Sequence, residues 1–208
     1  VVLMARSEQK LQKYVEEIDM QGGRAHPVAC DATDPASVEA AFDRVRDELG
    51  DPGVLVYNAG AFEYGGILEL DDETFETCWK ANCYGGFLTA KQVLPAMVQR
   101  EAGTIIFTGA TASTRGSANF AGLAVGKFGL RALSQSMARE FGPQGIHVAH
   151  ALIDGQIDTP QNLESFPERK RHTFLNSDEI AEQYWQLHQQ DRTTWTQEMD
   201  LRPYVEDF

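Results

Sequence analysis

The 208-residue sequence is short of positive charge: 18 lysines and arginines stand against 31 acids, a formal net charge of -13. A chain so composed offers no basic surface to neutralise phosphates, which argues against a nucleic-acid partner and against an anionic membrane surface. Long apolar runs are missing too. None approaches the roughly 18–20 residues that a membrane-spanning helix needs. Cysteine is scarce: Cys30, Cys78 and Cys83 have neither metal nor disulfide spacing. They read as ordinary buried thiols in a reducing compartment, the cytoplasm or an organelle matrix. The histidines do not cluster, and "HVAH" puts His147 and His150 on opposite faces of a strand, which argues against a metal pair. There is no initial Met, signal peptide or Gly-rich turn before "VVLMAR". The chain reads as one entered partway through its fold.

What is present is an alternation of two patterns. Strand-like runs occur at "VVLMA" (1–5), "AHPVAC" (25–30), "GVLVYNAG" (53–60), "GTIIFTG" (103–109) and "IHVAHALID" (146–154). Pro27 marks the second as a strand start or an edge. Helical periodicity fills 7–20, 34–50, 72–99, 117–141 and 177–190. The 34–50 helix carries its own signals: Asp34 as N-cap, Pro35 at the first helical position, Gly50 as the stop. Residues 194–203 give a last strand, after a loop with short helical pieces over 156–176. Near-continuous apolar strands are those of a parallel sheet covered on both faces. The expected fold is therefore α/β, a doubly wound parallel sheet in a single domain over 1–208, with 156–208 as its variable part. Ligands of such sheets bind beyond the carboxyl ends of the strands. Those ends carry Arg6-Ser7, Asp31, the "NAG" of 58–60, the "TGAT" of 108–111, and Asp154 to Thr159.

"DATD" after one strand, "YNAG" after the next, Asn82, a YxxxK-like position ending in Lys127, and "IDGQIDTP" follow one another in an order and spacing that resemble the short-chain dehydrogenase/reductase family. The resemblance covers residues 1 to about 160 and implies a Rossmann-type sheet, with NADP(H) as cofactor. Arg6 and Ser7 would recognise the adenosine 2′-phosphate, since a guanidinium and a hydroxyl suit a phosphate. An NAD-preferring site would place an acid there, and that strand end has none. Locally, the pair also reads as a solvated helix start. Asp31, with Ala32 beside it, resembles the contact to the adenine amino group, although a helix cap is an equal local reading. Asn58, Ala59 and Gly60 match the family's "NNAG", with Tyr57 in place of its first Asn. Ile157 and Thr159 match the segment that holds the nicotinamide carboxamide, with Asp154 where the family has proline.

The same resemblance exposes two gaps. The family's proton-transferring Tyr stands four residues before the Lys, and its carbonyl-polarising Ser thirteen residues before that Tyr. Here those positions are Leu123 and Ala110, while Lys127 and Asn82 remain. A positioned acid–base group is worth roughly 10²–10⁴ in rate. Thr108, Thr111, Ser113, Tyr64 and Tyr84 are the nearby residues that could supply a hydroxyl, although each also reads as a turn or packing residue.

The family also opens on a strand and a Gly-rich turn that this sequence does not contain. The expectation is that strands 1–5 and 53–57 lack a shared neighbour, filled either by about 30 residues before Val1 or by another chain. The family usually self-associates through its two long helices, here 72–99 and 117–141. Gly85, Gly86, Gly122 and Gly126 would allow close approach between subunits. Two functions follow. One is an atypical NADP(H)-dependent oxidoreductase acting on a small-molecule carbonyl, alcohol or conjugated alkene. The other is a catalytically inactive relative, serving as a structural or cofactor-binding subunit of a larger assembly.

Overall fold

The computed structural model describes residues 1–206. Its elements run β1 (Val2–Ala5), α1 (Glu8–Met20), β2 (His26–Ala29), α2 (Pro35–Leu49), β3 (Val54–Tyr57), α3 (Asp72–Trp79), a π-turn (Lys80–Tyr84) and α4 (Gly85–Gln99). There follow β4 (Gly103–Thr108), α5 (Ala121–Phe141), β5 (Ile146–Ile153), α6 (Pro160–Ser165), α7 (Ser177–Gln189) and β6 (Glu198–Leu201). The strands match the hydrophobic runs to within a few residues. Asp34 caps α2 by accepting from the Ala36 amide, as its position predicts. The 72–99 helix is the main difference: it is broken by the π-turn, which holds Asn82.

All strand pairings are parallel. β3, β4, β5 and β6 form one sheet in that order, and β1 and β2 form a second. The strand period sorts the side chains of β4 between two layers. Ile105 and Phe107 join Phe42, Val93, Met97 and Leu130 on the side of α2, α4 and α5. Ile106 joins Leu187 and Tyr184 of α7 on the other. With helices on both faces, β5 is buried at every one of its eight residues. This accounts for its near-continuous apolar sequence, interrupted by His147 and His150.

The two sheets do not hydrogen-bond to each other. Between β1 and β3 lies a cleft of about 1280 Å³, walled by Val2 and Met4 on one side and Val54, Leu55 and Val56 on the other. Among the described residues, no helix is long and apolar enough to cross a membrane, and no cluster of metal-ligating side chains occurs.

The four glycines assigned to close approach between subunits need correcting. All four are buried within the chain. Gly85 and Gly86 face Tyr57, Gly122 faces Cys78, and Gly126 faces Asn82. They let α3, α4 and α5 pack tightly on each other and on β3, so they present nothing to a second subunit. The apolar groups exposed on these helices are instead Trp79, Phe87, Val125 and Phe128, with Tyr84 stacked between Trp79 and Phe87.

Candidate functional site

The carboxyl ends of the strands converge on α5 and the π-turn. Lys127 comes from the second turn of α5 and is 6% exposed. Its Nζ donates to the Thr108 carbonyl at the end of β4, at 2.7 Å. Burial pulls this ammonium down to about 8, because a desolvated lysine favours its neutral form. Asn82 is fully buried. Its Nδ2 donates to the Ala61 carbonyl at 2.6 Å and to the Cys78 carbonyl at 2.9 Å. Its Oδ1 is buried with no partner among the described residues. Gly60 completes the group: a Cβ there would lie 3.0 Å from Asn82 Oδ1 and 3.8 Å from Lys127 Nζ. The fold therefore brings Gly60, Asn82 and Lys127 to one point. It leaves an unspent acceptor, an ammonium with donors to spare, and no side chain between them. A buried polar atom without a partner is costly, so a polar group placed beside Asn82 Oδ1 would relieve that cost.

Ala110 sits half-buried at the start of the Thr111–Ser113 turn, and Leu123 half-buried one turn before Lys127 on α5. The hydroxyls near them are engaged. Thr111 donates to Asp154, Ser113 accepts from the Ala110 amide at 3.1 Å, and Thr108 shares a hydrogen bond with the Tyr184 hydroxyl at 2.9 Å. Tyr64 is exposed and accepts from Asn119 at 2.8 Å. Tyr84 lies in the aromatic stack on the outer face of the helices.

On the β1–β2 side, Arg6 is exposed at the end of β1. Ser7 is the N-cap residue of α1, and its side chain makes no capping bond. Asp31 follows β2. Its carboxylate accepts from the amide and hydroxyl of Thr33, at 2.9 and 2.7 Å. Those bonds hold its pKa below the ordinary value, with Arg6 adding a smaller electrostatic pull. The helix cap is Asp34, so the capping alternative for Asp31 falls away. Ala32 follows on this turn, its carbonyl facing Gly85 across the cleft floor. Asn58, Ala59 and Gly60 are exposed beyond β3 and line the cleft between the sheets. Thr159 is the N-cap of α6, accepting from the Asn162 amide at 3.2 Å. Ile157 bridges to Leu175 and accepts from the Asn162 side chain.

Two groups that the sequence named without a role here take one from the structure. Asp154 is buried, accepts from Thr111 and pairs with Arg202 at 3.3 Å. It ties the β5 end to the turn at Ala110 and to the chain beyond β6, and its position in place of a proline was the available signal. The other is His150, fully buried beneath Gly109, with neither ring nitrogen hydrogen-bonded among the described residues and Glu198 3.9 Å from Nδ1. Burial holds it down to about 4. A histidine within an apolar strand was the only trace of it.

The family model described as short chain dehydrogenase matches residues 1–170. A short-chain dehydrogenase from Rhodopseudomonas palustris is 38% identical, with a TM-score of 0.83, over 98% of this chain and 86% of that one. An alcohol dehydrogenase from Thermococcus sibiricus, complexed with 5-hydroxy-NADP, is 25% identical with a TM-score of 0.86, over 99% and 86%. The 3-oxoacyl-acyl-carrier-protein reductase FabG of Salmonella typhimurium is 33% identical over 141 residues, 68% of this chain. That match spans only 57% of the reductase's length. With the parallel sheet, the strand-end site and a family match over most of its length, this chain belongs to the short-chain dehydrogenase family.

Proposed function

We propose that the protein is an NADP(H)-dependent short-chain oxidoreductase of reduced acid–base equipment, acting on a small-molecule carbonyl, alcohol or conjugated alkene. The observation that carries this reading is the meeting of Gly60, Asn82 and Lys127 around an unpartnered buried acceptor. A bound nicotinamide supplies the hydride. Lys127 and Asn82 Oδ1 offer a donor and an acceptor to its ribose, and Gly60 leaves the room. A lysine that titrates near 8 can also release or take a proton close to neutral pH. Arg6 and Ser7 would hold the 2′-phosphate, Asp31 and Ala32 the adenine, and Ile157 and Thr159 the carboxamide. The Thermococcus sibiricus relative carries an NADP derivative, in keeping with this preference.

A second reading has its own support. With alanine and leucine at 110 and 123, the two usual donors are missing; Thr111 spends its proton on Asp154, Thr108 is paired with Tyr184, and Ser113 is fully buried where it accepts from the Ala110 amide. On that reading the protein binds the nucleotide, or serves as a structural subunit, without turnover. In either case the exposed Trp79–Tyr84–Phe87 stack, with Val125 and Phe128, is the surface through which copies would associate.

The test is a fluorescence titration of the natively purified protein with NADPH and with NADH. NADPH binds more tightly, and Arg6→Ala weakens it by about tenfold, the effect of one charge-assisted bond. NADH binding equally well removes the role given to Arg6. Binding of neither nucleotide abandons the oxidoreductase and leaves the subunit.

A further inference from the structure

Asn82 owes its place to the π-turn. In an uninterrupted α-helix the Gly85 amide would bond to Ala81, four residues back. Here that amide bonds to Lys80 instead, and the Ala81 carbonyl accepts from the hydroxyl of Tyr57 at 2.7 Å. Tyr57 closes β3, is 3% exposed, and packs edge-on against Phe107. Its hydroxyl can reach the helix only because Gly85 and Gly86 have no side chains. A Cβ on Gly85 would meet the Tyr57 oxygen and also the Ala32 carbonyl, at 2.6 Å. A Cβ on Gly86 would lie 3.3 Å from the tyrosine ring. Four residues beyond Tyr57, the Ala61 carbonyl accepts from Asn82. The loop that carries Asn58 to Gly60 is thus pinned at both ends to the same π-turn.

We propose that the Tyr57 hydroxyl is a positioning residue: it occupies the Ala81 carbonyl, holds the turn in its π register, and so aims Asn82 at Gly60 and Lys127. Gly85 and Gly86 are the matching half of the device. The inference rests on the site as proposed above, but its test needs neither turnover nor bound nucleotide.

The test uses Tyr57→Phe in the full chain, which removes one oxygen and keeps the ring. Amide exchange over 80–86 rises by about tenfold, the factor for one lost hydrogen bond, while 90–99 and β5 keep their rates. The pH midpoint of amine labelling at Lys127 climbs from about 8 towards the ordinary lysine value, as water enters beside a displaced Asn82. Phe107→Leu is the packing control: it lowers the melting temperature without moving that midpoint. A Tyr57→Phe protein that matches wild type in both readouts overturns the proposal. So does one that behaves as Phe107→Leu does.

Discussion

The two sides of the cleft are built to different standards. β4 and β5 with α4, α5 and α7 form a closed body in which β5 is buried throughout. The β1–β2 pair reaches that body through Val28 and Cys30, but the edges of β1 and β3 that face each other are open: Val54 and Val56 remain 38% and 44% exposed. The candidate site straddles this seam. Asn82 and Lys127 belong to the closed body, whereas Arg6 and Asp31 belong to the open pair. The buried carboxamide oxygen of Asn82 and the desolvated Lys127 lie where packing is complete.

The largest effect should come from cutting into each side equally. Phe107→Ala in the closed body should cost about 3–5 kcal/mol of stability, as for a fully buried aromatic. Val56→Ala on the open edge should cost under about 1 kcal/mol, because part of its surface already meets water. Urea unfolding monitored for both variants decides the matter. Similar losses would mean that the cleft between β1 and β3 is closed in solution. A smaller effect tests how tightly the closed body grips the site. A Cβ at Gly126 would stand 2.5 Å from Asn82 Cβ, so Gly126→Ala should cost about 1–3 kcal/mol, as overpacking does. It should also push Asn82 from its bonds to Ala61 and Cys78.

The same division explains what could be read from the sequence. Strands of the closed body declare themselves, since burial on two faces demands near-continuous apolar runs such as "TIIF". The cap of α2 was legible because Asp34, Pro35 and Gly50 act locally. The π-turn was not: its cause is a hydroxyl 24 residues away, and no periodicity in 72–99 records it. The destination of Gly85 and Gly86 was misjudged for the same reason. Small residues on a helix report that something approaches closely, but not whether it is a second subunit or Tyr57. Lys127 and Asn82 were singled out by the family resemblance in the order and spacing of the motifs. Their convergence with Gly60 depends on three elements distant in sequence.

The smallest expected effect separates the two sides by pH. His150, in the closed body, titrates near 4 rather than 6.5, chiefly through burial, with Glu198 pulling it up and Arg131 and Lys127 pushing it down. Between those values the unfolded chain holds the proton and the folded chain does not. Stability therefore falls as pH drops through that window. Asp31, on the open side, has its pKa lowered from 3.8, mainly by the Thr33 hydroxyl. Its contribution is present above 3.8 and is lost only as pH falls further, through its folded value. Melting temperatures followed downwards from pH 7 should thus decline first on account of the closed body and later on account of the open one. His150→Gln should flatten the earlier decline and leave the later one, whereas Asp31→Asn should do the reverse. If His150→Gln leaves the slope between pH 6.5 and 4 unchanged, water reaches the imidazole, and the closed body is looser than its packing implies.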